Sequence, residues 1–435
     1  MEIKNKKVLY ILETLCKNGF KALIAGGAVR DALQGVKSLD YDVLTDASFH
    51  EILRIFPFEK VKIVGQSFKI CLVNNIEVCP SRAEAGKDLF PENDLSMRDF
   101  TINSMAYDPQ TKTIIDLLNG KKDLENKMVC FTKDPQQRIA EDPLRIIRAC
   151  RMASLINGSI ETASKQAIID KGFLITNNVA RERIRIEIIK VMAHKTPSVF
   201  FKLLHEINVL QHIFPCLERC FDLDGGPHHG ETVFEHCMMT GDAVSSQYPL
   251  LRLAAFLHDA GKYDAAITKK GKLTFAGHEN YTEQIRIDLE NLRFSNREID
   301  YILSIIRVHM RPLKEETTPK AVRKILRDLN QLNINFHDFL RIRIADKRAN
   351  LAKEPYSFSD IRTRFQKILT EISPEKIRAF SKEDLKVSGG DIMKIRGISQ
   401  SPEVGEILDY LLERVLEDPE FNDAEKLTEL IKEYK

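Results

Sequence analysis

At 435 residues the chain is longer than one hydrophobic core supports, so it divides into roughly two to four domains. Its 65 Lys+Arg and 63 Asp+Glu residues nearly cancel, which excludes binding of polyanions by bulk charge and makes any nucleic-acid surface local. A hydrophobic share of 43% is that of a soluble globular protein, no apolar run is long enough to span a membrane, and the eight cysteines form no Cys-x-x-Cys. Reduced thiols in the cytoplasm and no membrane partner are therefore expected. Cys216-x-x-x-Cys220, upstream of His228-His229, is read as core cysteine and not as a zinc site, because the spacing is loose.

Residues 1–25 open with a helical pattern (Val8, Leu9, Ile11, Leu12, Leu15) and then a strand, Ala22-Leu23-Ile24-Ala25. Short strands are expected around 40–45, 61–65, 68–74 and 76–79, with turns at Gly65-Gln66 and Asn74-Asn75. The interval 81–96 is polar and reads as a loop. Residues 100–107 form a strand or helix edge, and Thr113–Asp116 closes the α/β unit. From about 136 onward strand signals vanish and helical periodicity runs almost to the end. The expected fold is an α/β head with a small mixed sheet, residues 1–135, followed by all-α segments. These are a neck at 136–200, a body at 201–350 and a tail at 351–435.

Gly26-Gly27-Ala28-Val29-Arg30-Asp31 follows the first strand, and a glycine pair there lets backbone approach a ligand closely. Asp40 and Asp42, one residue apart on the next strand, share a face and repel each other unless a hard cation such as Mg²⁺ lies between them. A lone Asp-x-Asp is more often a solvated turn. Here the diglycine and Arg30 precede it, and Glu77 follows on a later strand as a third carboxylate to orient a hydroxyl or complete a metal cage. Arg98, Asp99 and Asn103 offer a guanidinium for phosphates and an amide for a ribose. Such a set holds a nucleoside triphosphate and moves its phosphoryl group. If Glu141-Asp142-Pro143-Leu144-Arg145 is helical, Glu141, Asp142 and Arg145 share a face. A carboxylate there accepts from the exocyclic amine of cytosine or adenine, and the guanidinium donates to ring acceptors. A surface ion pair is the plainer reading. Arg148 and Arg151 continue the face toward a base or phosphates, unless they are solvated.

Gly26–Asp31, Asp40/Asp42, Arg98–Asn103, Glu141–Arg145 and Arg181–Glu187 resemble, in order, the motifs of the class II tRNA nucleotidyltransferases, a family that includes bacterial poly(A) polymerase. The resemblance implies a nucleotidyltransferase-type head that builds the tRNA 3′ CCA end from CTP and ATP without a template. It makes Asp40 and Asp42 the Mg²⁺ carboxylates, Glu77 a weaker third, and Gly26, Gly27 and Arg30 the triphosphate holders. Met97 stands where the family usually has the first of two arginines. The segment between Glu77 and Arg98 is short and lacks an Asp-Gly-Arg-Arg-Pro-like run, which in the family is tied to switching from C to A addition. CC addition is therefore favoured over full CCA addition, with Lys87-Asp88-Leu89-Phe90 as an alternative compact substitute for that run.

In the body, His236, His258-Asp259 and Asp346 resemble the ordered motif of HD-superfamily metal-dependent phosphohydrolases, and His278 and His309 match the extra histidines of binuclear members. Imidazoles and carboxylates from separate helices suit a transition metal (Ni, Mn, Co or Fe) and an activated water. Lys262 adds a cation for phosphate. The resemblance implies cyclic phosphodiesterase, 2′-nucleotidase or phosphatase activity. Residues 387–393 and 403–408 resemble the family's helical tail, which implies a grip on the tRNA elbow; Lys320–Arg327 and Arg341–Arg348 are candidate clusters. Two other readings remain: a poly(A) polymerase, and an HD phosphohydrolase whose head only binds nucleotide. The sequence assigns no oligomeric state.

Overall fold

The computed structural model describes residues 3, 5–38, 40–56, 61–64, 70–80, 89–227, 229–269, 271–311, 318–352 and 381–434. The sequence expectations at Gly65-Gln66, 81–88 and His228 lie outside these residues. The chain forms two compact units, Met1–His212 and Ile213–Lys435.

The first unit is built on β1 (Ala22–Ala25), β2 (Asp42–Thr45), β3 (Val61–Val64), β4 (Ile70–Val73), β5 (Ile76–Pro80), β6 (Met105–Asp108) and β7 (Thr113–Asp116). Among the described residues these make one mixed sheet in the order β3-β4-β5-β2-β1-β6-β7. Within this sheet, among the described residues, β2 and β5 pair in parallel and the other neighbours antiparallel. The central strands are covered on both faces, so β1 and most of β2 are buried throughout. One face carries Leu23, Ala25, Leu44 and Ala106 against Phe90 and Leu95. The Lys6–Lys17 helix buries Val8, Ile11, Leu12 and Leu15, as its apolar spacing predicts.

β2 starts at Asp42, two residues later than expected, because its partner β1 ends at Ala25 where Gly26 turns the chain. Asp40 therefore precedes the strand. The stretch read as a loop at 81–96 contains a short helix, Glu92–Ser96. Strands also persist beyond 136: Met128–Val129 pairs with Ser159–Ile160, and Ile267–Lys269 with Lys272–Thr274. Each is two or three residues long, too short to show a period of two.

Among the described residues, the second unit has no strands besides that hairpin. Its centre packs the Val233–Ala243, Pro249–Leu257, Asn296–Val308 and Phe336–Ala349 helices together. A Cβ at Gly241 would lie 2.5 Å from the Phe256 ring, so the first two helices cross closely only because that residue is glycine.

Candidate active site of the head and metal centre of the body

The parallel register sets Asp42 directly beside Glu77 on adjacent strands. Asp40, just ahead of β2, lies close enough for its charge to act on both. Burial first, with the neighbouring carboxylates adding to it, pushes the Glu77 carboxyl up. Asp42 is likewise raised by burial, opposed by Arg98 and reinforced by Asp40. Arg98 Nη1 stands 3.5 Å from Asp42 Oδ2. Carboxylates that raise one another in this way offer the oxygen donors a hard divalent cation takes.

Gly26 makes room for this arrangement. Its φ of +76° and ψ of −133° are open to glycine, and a Cβ there would lie 2.3 Å from Arg98 Nη1 and 3.2 Å from Asp42 Oδ2. Gly26→Ala is expected to cost about 1–3 kcal/mol of stability and to displace Arg98. A thermal melt and a CTP titration check both effects.

Gly27 opens the Gly27–Leu33 helix. Arg30, expected at a phosphate, is buried instead: it donates to Asp31 Oδ1 at 2.6 Å and to Asn103 Oδ1 at 2.6 Å. Asn103 in turn donates to Met152 Sδ at 3.4 Å. Both side chains brace the glycine turn against the Arg145–Ile156 helix, because a guanidinium this enclosed has to satisfy its donors within the protein.

The Glu141–Arg145 segment is not one helix. The Pro135–Glu141 helix stops at Asp142, whose φ of −151° is extended, and a new helix starts at Arg145. Pro143 is the reason: it lacks an N–H and pushes the residue before it out of the helical region. Glu141 still reaches Arg145, at 2.9 Å. Asp142 turns away and takes a forked pair from Arg183, at 2.8 and 3.2 Å. Asp99 gathers Arg145 at 2.8 Å, Arg148 at 2.7 Å and Arg138 at 3.7 Å. Against the effect of its burial, Arg148 and then Arg145 hold the Asp99 carboxyl below its usual range. Arg151 is neither solvated nor free: it pairs with Glu187, which also holds Lys190 at 3.1 Å.

Arg138 escaped the sequence reading, since one more arginine on a polar helix carries no signal. It is 2% exposed and donates to the carbonyls of Met97 at 2.8 Å and Arg98 at 3.1 Å, tying the Arg98 turn to the neck. Arg138→Ala leaves the Met97 carbonyl without that donor, while Arg98 O keeps Thr132 and Glu141 keeps Arg145. We expect a loss of about 1–3 kcal/mol, read by chemical denaturation.

In the second unit His236, His258, Asp259, His278, His309 and Asp346 converge. Asp259 lies 2.9 Å from His278 Nε2, 3.4 Å from His309 Nε2 and 3.4 Å from His258 Nε2. Asp346 Oδ1 lies 3.2 Å from His236 Nε2. The Nε2 atoms of His278 and His309 are 3.3 Å apart, a spacing that needs a shared cation or proton. His258 Nε2 is buried without a hydrogen-bond partner. Burial pushes the His258 imidazole down to about 3, which keeps it a neutral donor. Asp346, although buried, is held well below the carboxylate range by His236 and the cations around it. These donors fit a transition metal. Asp259, His278, His309 and Asp346 line a cavity of about 340 Å³ with His229, Lys262, Phe275 and Met310. Lys262 Nζ reaches Asp259 at 2.7 Å and His229 Nε2 at 3.3 Å.

The candidate basic clusters are largely paired. Lys324 binds Glu413 at 2.7 Å, Lys320 binds Glu417, and buried Arg323 donates to the carbonyls of Leu416 and Glu417 at the end of the Pro402–Glu417 helix. Arg341 lies over the Tyr248 ring, and Arg343 holds Asp346 at 2.9 Å. All eight cysteines are unbridged. Among the described residues, no helix is long and apolar enough to cross a membrane.

Family models match three stretches: the Poly A polymerase head domain at residues 22–130, a probable RNA and SrmB-binding site of polymerase A at 159–221, and tRNA nucleotidyltransferase domain 2 at 273–431. A CCA-adding enzyme of Geobacillus sp. (strain WCH70) is 32% identical over 48% of this chain and 54% of its own length. Poly(A) polymerase I of Haemophilus influenzae is 30% identical over 50% of this chain and 53% of its own. The chain thus spans about half the length of these curated relatives. The crystal structure of the Bacillus stearothermophilus CCA-adding enzyme in complex with CTP shares the fold, with a TM-score of 0.69 at 21% identity over 100% of this chain and 98% of that one. Head, RNA-binding segment and second domain occur here in family order, and the chain belongs to the class II family of CCA-adding enzymes and poly(A) polymerases.

Proposed function

We propose that the protein is a template-independent nucleotidyltransferase that adds C residues from CTP to the 3′ end of tRNA, with CC addition favoured over CCA addition from CTP and ATP. The observation that carries this reading is Asp42 beside Glu77 in register, with the charge of Asp40 acting on both and Arg98 against Asp42 at the glycine turn. Asp40 and Asp42 would hold Mg²⁺, with Glu77 completing the cage or orienting the 3′ hydroxyl. The ion would supply charge compensation for the triphosphate and for the developing phosphorane. Gly26 and Gly27 bring backbone close to the triphosphate, and Arg98 exchanges Asp42 for a phosphate oxygen. Asp142 and Arg145 choose the base: the carboxylate accepts from the exocyclic amine that cytosine and adenine carry where uracil and guanine carry a carbonyl, and the guanidinium donates to the ring. Arg183 pairs with Asp142, and Asp99 and Glu141 pair with Arg145, so an incoming base shares or displaces these partners. Glu141, Asp99, Arg148, Arg151, Arg30 and Asn103 position that pair and the turn. The tail would hold the tRNA elbow, and the proposed setting is the cytoplasm.

The histidine–aspartate cluster supports a second reading for the same chain, an HD-type phosphohydrolase that trims phosphorylated or cyclic-phosphate RNA ends before repair. His236, His258, Asp259, His278, His309 and Asp346 would hold a transition metal, Ni, Mn, Co or Fe, that supplies an activated water. Lys262 would receive the phosphate.

Product length tests the first reading. A tRNA transcript lacking CCA, given both CTP and ATP, is expected to grow by two nucleotides. Growth by three overturns the CC preference, and long A tails on unstructured RNA would favour the poly(A) polymerase reading.

A further inference from the structure

The four imidazoles of the body's cluster share one orientation, and three of them obtain it from backbone. His258 Nδ1 donates to Ala255 O at 2.8 Å, His278 Nδ1 to Phe275 O at 3.0 Å and His309 Nδ1 to Ile306 O at 2.5 Å. Each acceptor lies three residues back. His258 and His309 follow the last residues of their helices, where the final carbonyls have no intrahelical partner. Donation from Nδ1 leaves Nε2 as the lone-pair nitrogen, facing Asp259 in all three.

His236 has no such acceptor. It lies inside the Val233–Ala243 helix, where the carbonyls of the preceding turn are used by the helical ladder. A side chain takes the backbone's place: Glu231 Oε1 accepts from His236 Nδ1 at 3.0 Å. Glu231 is 7% exposed and firmly held, with its other oxygen accepting from Gly230 N at 3.0 Å and Leu351 N at 3.3 Å. The same Oε1 accepts from His229 Nδ1 at 3.0 Å, which leaves His229 Nε2 to accept from Lys262 in the cavity.

We propose that Glu231 is a positioning residue of the body's metal centre, fixing the tautomer and ring orientation that aim Nε2 of His236 at the metal. This inference rests on reading the cluster as a metal centre. Outer carboxylates that accept from a ligating imidazole both orient it and raise its basicity, and their loss typically weakens metal binding about 10–100-fold.

The test is titration of the metal-free full chain with Co²⁺, counting as signal the visible absorption that His258→Ala abolishes, so that binding at the head's carboxylates is set aside. Glu231→Ala is expected to weaken that signal's apparent affinity about 10–100-fold and to alter its spectrum. Glu231→Gln, which keeps one acceptor oxygen where the carboxylate has two, is expected to fall between Glu231→Ala and wild type. Circular-dichroism melts of the metal-free variants report the fold separately. Wild-type affinity and spectrum in Glu231→Ala overturn the inference. Equal loss in both variants also overturns it, by pointing to charge and not to the acceptor. A wild-type chain with no His258-dependent signal removes the metal-centre reading itself, an outcome distinct from either of these.

Discussion

Asp42→Asn should lower nucleotidyl transfer by roughly 10³-fold or more while making the metal-free protein more stable. The loss follows from removing a ligand to an ion that stabilises transition-state charge by several kcal/mol. The gain in stability follows from the direction of the shifts. Burial, with neighbouring carboxylates, raises both Asp42 and Glu77 above their usual range. The folded state therefore binds these protons more tightly than the unfolded chain does. Their contribution favours folding at low pH and turns unfavourable as pH rises from the ordinary carboxylate range through the raised folded values. In EDTA at neutral pH, Asp42→Asn and Glu77→Gln should both melt higher than wild type. Mg²⁺ with CTP should raise the melting temperature of wild type and not that of Asp42→Asn. A mutant that melts lower than wild type in EDTA would contradict the charge argument.

The second large effect separates the two sites. His258→Ala or Asp259→Ala should reduce transition-metal-dependent phosphate release from a nucleoside 2′-phosphate by at least roughly 10²-fold. The same release should persist in Asp42→Asn, whose residue lies in the other compact unit. The structural basis is that Asp259 holds three imidazoles and Lys262 on its two oxygens. Removing it takes from those imidazoles and Lys262 the carboxylate they share. Phosphate release that survives His258→Ala, or that vanishes with Asp42→Asn, would contradict a separate hydrolytic centre.

The sequence made the sheet and the histidine cluster legible for different reasons. Strands and carboxylates of the head announce themselves locally, through the diglycine, Asp-x-Asp and a glutamate on an apolar strand. Asp42 and Glu77 indeed share a register position. The six body residues lie far apart in sequence, and only their resemblance to an ordered motif brought them together before the fold did. What escaped were side chains whose role depends on tertiary partners. Arg138, Arg183 and Glu231 are ordinary charges on polar stretches until Met97, Asp142 and His236 are placed against them. Arg30 erred in the opposite direction. Its place beside the glycine turn suggested a phosphate, but its burial commits it to Asp31 and Asn103. The break at Asp142 was readable from Pro143, because proline biases the residue before it to extended backbone.

Transfer of labelled CMP from CTP to the 3′ hydroxyl of a tRNA transcript lacking its CCA end, followed with and without Mg²⁺, is the most direct measurement. Mg²⁺-dependent label at the tRNA 3′ end, absent in Asp40→Ala and Asp42→Ala, is the predicted result. A folded wild-type protein that incorporates no label from either CTP or ATP would contradict the account.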